Sequence, residues 1–296
     1  MANVRELRGR IKSVSNIAKI TKAMEMVASM KLRRVQARAV ALHPYTAEIR
    51  ALVEHLAEHV GRDTHRALFR AREVKTVGVF LVTSDRGLCG AYNSNMMLRL
   101  LEFLRQVEQK RPGAKVKFFC YGRKGYSYLN RRSYDIERYF VDPPLDKLDF
   151  ASARVAADAL VEAFTDGVVD EMHLAYTRFV SMARFEPTFE PLLPVTHIRL
   201  WGDDNIPSTQ PSTYLLEPNA DVLFEHLVPK YLETMVFDAM LQSLTSEHAS
   251  RRMAMKGATD AAGRMSKDLR KVYNRARQEK ITKELMDIVG GTAAVS

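Results

Sequence analysis

The residues from about Asn219 to Val289 constrain this chain more than any other stretch. Val222, Leu223, Leu227, Tyr231, Met235, Leu241, Leu244, Met255, Met265, Leu269, Val272, Ala276, Ile281, Leu285 and Ile288 recur mostly at spacings of three and four or their sums, as one apolar helix face does. No proline falls between Thr234 and Ile288. Only Gly257 and Gly263 weaken the run, each by about 1 kcal/mol against alanine. At 1.5 Å per residue such a helix is on the order of 100 Å long. A compact globule of this chain length has a radius of gyration of only ~19 Å. The helix cannot be enclosed by its own protein, so most of it must project and meet solvent or another molecule.

Residues 1–60 predict a second long helix. Val4, Leu7, Ile11 and Val14 set its apolar face, and Ile17, Ile20, Met24, Val27, Leu32, Val35, Ala39 and Leu42 are expected to continue it. The step 14–17–20 reads as a slip in the heptad. Pro44 predicts a kink, because Ile49, Leu52, Val53 and Leu56 resume helical spacing beyond it. Each helix carries one narrow stripe that it cannot bury alone, and the pair is expected to close as an antiparallel coiled coil. The alternative is an ordinary helical bundle, whose core two stripes cannot fill. Ala18, Ala28 and Ala39 on one helix, and Ala249, Ala254, Ala258, Ala261 and Ala262 on the other, suit close approach.

Charge separates these helices from the rest. Residues 1–40 hold ten Lys/Arg against Glu6 and Glu25, and residues 251–283 hold eleven against Asp260, Asp268 and Glu279, a surplus of +8 in each. The whole chain is +10, so everything outside these two segments sums to −6. A basic rod on an acidic remainder calls for an anionic partner along the rod.

Between the helices, residues 74–201 change period. Thr76–Val82 and Lys115–Tyr121 read as buried strands, residues 139–141 as a short third, and Glu171–Phe179 and Val195–Trp201 as the last two. Helices are expected through Asn95–Val107, after Gly122 and Gly125, and over Asp149–Phe164. The alternation predicts a small doubly wound, Rossmann-like α/β domain inserted between the coiled-coil helices. Residues 202–213 form a polar, proline-bearing return, and the C-terminal segment is taken as 214–296.

Chemical motifs are few. Ser84-Asp-Arg-Gly-Leu-Cys-Gly90 follows a strand and precedes a helix, the place where dinucleotide folds cradle phosphate. It lacks both a Gly-Lys-Ser/Thr and a G-x-G-x-x-G, and turn geometry accounts for its glycines. His55 and His59 lie one helical turn apart beside Glu54 and Glu58, and a solvated helix end explains them better than a metal. Cys89 and Cys120 suit free thiols. No catalytic, cofactor-binding or metal constellation is expected. No apolar run is long enough to span a membrane, and the N-terminus reads as lacking a signal peptide. A nucleic-acid reading of the basic rod suffers from the lack of stacking aromatics on its basic faces. The last turns, Ile281, Leu285, Ile288 and Val289, lose charge and end in small residues, which suggests insertion into an apolar collar; a mildly hydrophobic disordered tail is the alternative.

Ile20-Thr-Lys-Ala-Met-Glu-Met-Val27, Ser84-Asp-Arg-Gly-Leu-Cys-Gly90, Met255-Lys256 with Ala258-Thr259-Asp260, and Asn274-Arg-Ala-Arg-Gln278 with Ile281-Thr282 resemble the gamma subunit family of F-type ATP synthases, over the whole chain and in order. The resemblance implies a central rotor shaft without an active site or cofactor of its own. It would stand inside a ring of three alpha and three beta subunits, on the epsilon subunit and the c-subunit ring, peripheral to the cytoplasmic face of a bacterial plasma membrane. By motif it places Met24 near the acidic lever loop of beta. It places Arg251, Gln278 and Thr282 at the catch region of beta, and Tyr214 and Glu217 on the foot facing the c ring. The sequence departs from the family pattern at Leu216, where tyrosine is common, and at Arg252, where an apolar residue is common.

Overall fold

The computed structural model describes residues 4–59, 68–69, 72–195 and 220–293. The chain divides into two compact units, Lys31–Ser250 and the pair of segments Met1–Met30 and Arg251–Ser296. Helix α1 (Val4–His59) and helix α5 (Ala220–Ala293) each contribute to both.

In the larger unit, β1 (Thr76–Val82), β2 (Lys115–Tyr121), β3 (Ile136–Phe140) and β4 (Glu171–Phe179) are parallel, and β5 (Phe185–Leu193) returns antiparallel along β4. The order is β3-β2-β1-β4-β5, the doubly wound order in which a chain steps outward from β1 and then crosses to its other side. Pleating sends Val77, Val79 and Leu81 of β1 to one face. There they pack with Phe118 and Cys120 of β2 and with Met96, Leu100, Phe103 and Val107 of α2 (Tyr92–Lys110). Phe80 and Val82 go to the other face, against Ala153, Ala156, Leu160 and Phe164 of α4 (Phe150–Thr165). Val35 and Val53 of α1 and the run Val228–Leu244 of α5 join the same core. Central strands covered on both faces need continuous apolar runs, which is what Thr76–Val82 supplies. A side chain such as Leu241, with no exposed surface, contributes about 1.5–3 kcal/mol by burial.

Helix α1 continues beyond Pro44, as the resumed spacing at Ile49, Leu52 and Val53 implied, and α5 likewise continues through Pro229. The fifth strand of the described sheet is Phe185–Leu193, a segment the sequence reading left unassigned; of the strand expected over Val195–Trp201, Val195 lies beyond β5, its N–H donating to the Leu68 carbonyl at 2.8 Å, and residues 196–201 lie outside the described residues. Pro187 and Pro191 hide β5 from sequence reading, yet β5 is an edge strand with one neighbour, where a missing N–H is tolerated.

In the smaller unit the two helices pair. Thr21 and Thr259 meet hydroxyl to hydroxyl at 2.8 Å. Helix α1 leaves this unit after Met30 and α5 enters it at Arg251, so with Thr21 facing Thr259 near both crossings the helices run antiparallel. A seam in threes and fours runs on α1 through Val4, Leu7, Ile11, Val14, Ala18, Thr21, Glu25 and Ala28, with Ser15, Met24 and Ser29 partly covered beside it. On α5 it runs through Met255, Thr259, Ala262, Ser266, Leu269, Tyr273 and Ala276, with Ala254 and Ala258 partly covered beside it. The seam can be followed along both helices without a slip in the heptad. The expected continuation of the buried face through Ile17, Ile20 and Val27 is therefore wrong: they are 52%, 60% and 47% exposed, and Met24 is half-buried. Small side chains at Ala18, Thr21 and Ala28 keep the seam and let the helices approach closely, which turns the larger apolar residues outward.

Candidate functional site

The surface of the paired helices is the first candidate. Outside the seam, α1 exposes Ile17, Ile20, Met26, Val27 and Met30 among Arg5, Arg8, Arg10, Lys12, Lys19 and Lys22. Helix α5 exposes Met265, Val272, Ile281, Leu285 and Met286 among Lys256, Arg264, Lys267, Arg270, Lys271, Arg275, Arg277, Lys280 and Lys283. Exposed apolar side chains interspersed with cations suit a partner that offers both apolar and acidic groups.

The residues singled out from sequence are strung along these helices and do not converge on a pocket. Met24 and Arg251 are half-buried, whereas Gln278, Ile281, Thr282 and Leu285 are exposed. At 1.5 Å per residue, Arg251 and Gln278 stand about 40 Å apart along α5. Ile288 and Val289 belong to α5, but their side chains lie outside the described residues, as do those of His55 and His59. Tyr214 and Glu217 also lie outside the described residues.

The larger unit carries a basic cleft of about 410 Å³ lined by Lys31, Arg34, Arg38, Lys147 and His248 around Asp146 and Asp149. Lys31, Arg34 and Arg38 fall on one face of α1 by their spacing. Both carboxylates are engaged. Asp146 accepts from His248 Nε2 at 3.1 Å and from Lys31 Nζ at 2.6 Å. The His248 bond, opposed by burial and reinforced by Lys31, holds the Asp146 carboxyl well below the usual range. Asp149 caps α4, accepting from Ser152 N at 2.8 Å within a capping box. Arg38 donates to the Leu148 carbonyl at 2.8 Å.

The loop after β1 explains itself internally. Asp85 accepts from the main-chain N–H of Arg123, at the start of α3 (Arg123–Asn130), and from that of Leu145, both at 3.0 Å. Its carboxylate stands at a helix start, where a dinucleotide fold would seat a phosphate. Ser84 and Asn93 hydrogen-bond each other, and Asn93 Nδ2 donates to Cys89 Sγ at 3.2 Å. Gly122 has φ +100°, and a Cβ there would lie 2.0 Å from the Thr83 carbonyl oxygen. Burial pushes the Cys120 thiol up to about 12, so it is not a nucleophile at neutral pH. Among the described residues, no three His, Cys, Asp or Glu side chains gather as a metal site requires. No described helix is long and apolar enough to cross a membrane.

Sequence reasoning missed Asp85, the Asp146–His248–Lys31 group and a row of buried serines on α5, namely Ser243, Ser246 and Ser250. None of these left a signal: Ser243, Ser246 and Ser250 stand among Gln242, Thr245, Glu247 and His248, so their spacing of three and four marks no contrast.

Comparison with known proteins matches this architecture. A family model described as ATP synthase covers residues 3–295. The chain is 38% identical to the ATP synthase gamma chain of Burkholderia lata and 39% identical to that of Janthinobacterium sp. (strain Marseille), in each case over 100% of both chains. The chain therefore belongs to the ATP synthase gamma chain family. The fold matches a chain in the mitochondrial ATP synthase rotor of Euglena gracilis with TM-score 0.65 and 18% identity, over 94% of this chain and 98% of that one. A chain in the central stalk/c-ring structure from Tetrahymena thermophila gives TM-score 0.56 and 22% identity, over 81% and 99%.

Proposed function

We propose that this chain is the central-stalk shaft of a bacterial F-type ATP synthase, coupling rotation of a c ring to ATP synthesis or hydrolysis in a ring of three alpha and three beta subunits. The observation that carries this reading is the outward turn of Ile17, Ile20 and Val27 in a seam that has no need of them. A lone coiled coil gains nothing from an exposed apolar row, whereas a shaft turning in a sleeve needs one. The surplus of +16 on the two helical segments complements acidic beta loops at Met24, and Arg251, Gln278 and Thr282 meet the catch region of beta. Ile281, Leu285, Ile288 and Val289 form the apolar bearing, and Tyr214 and Glu217 stand on the foot over the c ring and epsilon. The shaft has no active site or cofactor and sits peripherally on the cytoplasmic face of the inner membrane.

The test is purification of the intact complex followed by Arg251→Glu. Alpha and beta should co-purify at three copies each per copy of this chain. The substitution should lower proton uptake per ATP hydrolysed more than it lowers assembly. Normal pumping in the variant removes Arg251 from the contact, and a stable lone chain with its own ATPase activity ends the shaft reading.

A further inference from the structure

Three serines of α5 bond across to the sheet, not along their own helix. A helical hydroxyl ordinarily returns its proton to the carbonyl four residues back. Thr234, Thr245 and Thr259 do so in α5, to Lys230, Leu241 and Met255. Ser243, Ser246 and Ser250 differ. Ser243 Oγ accepts from the main-chain N–H of Thr177 in β4 at 3.0 Å, and Ser246 Oγ donates to the Thr177 carbonyl at 3.1 Å. Ser250 Oγ donates to the Cys89 carbonyl, in the loop after β1, at 2.6 Å. All three side chains are buried.

The topology explains why these main-chain groups need partners. The β1–β4 ladder ends at Leu81 and Ala175, so Thr177 projects beyond its parallel neighbour. On its other side it faces Pro187 of β5 in a non-hydrogen-bonded pair, so its N–H and C=O point away from β5, toward the space past the end of β1. Without α5, a buried N–H and C=O would be left unmade, which is costly in an interior. Ser243 and Ser246 thus stand in for the missing continuation of β1, and Ser250 holds the loop that follows it. Because a strand's main chain has fixed positions, this bonding sets both the axial and the rotational register of α5. A slide of one residue, or a rotation by 100°, breaks all three bonds together.

We infer that Ser243, Ser246 and Ser250 are positioning residues forming a register lock, through which the α/β sheet and α5 turn as one body under torque. The inference rests on the shaft reading above. Apolar packing alone resists separation of helix and sheet but resists slippage poorly, since one buried side chain can replace another; directional bonds to main chain cannot be exchanged in that way. Helix α5 is continuous from Ala220 to Ala293.

The experiment compares the complex assembled with the full chain and with Ser243→Ala/Ser246→Ala. Two readouts are needed. The amide of Thr177 should exchange hydrogen on the order of tenfold to a hundredfold faster in the variant, the range set by a buried donor left without an acceptor. Proton uptake per ATP hydrolysed in vesicles should fall while ATP hydrolysis itself persists. Unchanged Thr177 exchange overturns the lock, and faster exchange with an unchanged uptake ratio overturns its role in transmitting torque. If the double variant fails to assemble, Ser250→Ala alone, at the rim of the sheet, must lower the same ratio, and an unaltered ratio there overturns the inference. Failure of the shaft reading looks different: proton uptake by the unsubstituted complex would not depend on this chain, while the exchange result would stand.

Discussion

Replacing Ala28 by leucine tests which side of the first helix is the seam. Ala28 is 2% exposed, at a position where the heptad alternates with Thr21 and Glu25. Leucine adds a branched group of three carbons where the helices approach through alanines and threonines. Overpacking of this kind costs about 1–3 kcal/mol. At about 2–4 °C per kcal/mol for proteins of 150–250 residues, the melting midpoint should drop by several degrees. Ile20 is 60% exposed, and Ile20→Ala should stay within about ±0.5 kcal/mol despite removing more apolar surface. The assay is loss of far-ultraviolet helical signal on heating the full chain, with the three proteins side by side. The hydrophobic pattern of the sequence, taken at face value, gives the reverse order, with Ile20 in the seam. If Ile20→Ala destabilises as much as Ala28→Leu, or if Ala28→Leu is silent, the assigned seam is wrong and the outward apolar row disappears with it. A third variant, Ile20→Asp, should melt like the parent and yet fail in complex formation.

Glu190 of β5 is pushed up to about 7, first by burial, with Arg178 and the Tyr176 hydroxyl opposing and Asp238 adding. The folded chain therefore binds a proton that the unfolded chain releases near the ordinary glutamate value, so the stability from this group is present at low pH and declines as pH rises from about 4.5 to 7. Glu190→Gln should flatten that slope in urea titrations and leave the variant more stable than the parent at pH 8; an unchanged slope refutes the assignment. Gly122→Ala should destabilise by more than about 2 kcal/mol, because φ is +100° and its methyl would meet main chain, not a yielding side chain. A midpoint in denaturant equal to the parent's would show that the α3 entry relaxes freely.

The parallel strands were legible because burial on both faces leaves no room for polar alternation, a mark carried by nearly all of Thr76–Val82 and by the second half of Lys115–Tyr121. The two long helices were legible for a related reason: a stripe repeated over many turns survives local noise. Their inner and outer sides were legible only in part: Val4, Leu7, Ile11, Val14, Ala18 and Ala28 are covered as expected, whereas Ile17, Ile20 and Val27 are not. A seam of alanine and threonine is weakly hydrophobic, so Ile17, Ile20 and Val27 outweigh it in any pattern count, although close approach decides the packing. Strand β5 was missed because Pro187 and Pro191 are read as breakers until the strand is known to lie at an edge. The serine row and Asp85 were out of reach, since their partners are main-chain groups far away in sequence, and a list of side chains records no such partners.

The prolines of β5 have one more effect. Thr177 turns its N–H and C=O away from β5, so its pair with Pro187 makes no ladder bonds, and Pro187 directs its ring nitrogen to the free border. Pro191 shares that phase four residues on. The outermost strand thus offers a visiting polypeptide an interrupted row of donors, and docking by strand addition is disfavoured along this margin. In a crowded assembly of many chains, that border stays closed to stray pairing, and growth of the sheet into an aggregate would have to begin at β3.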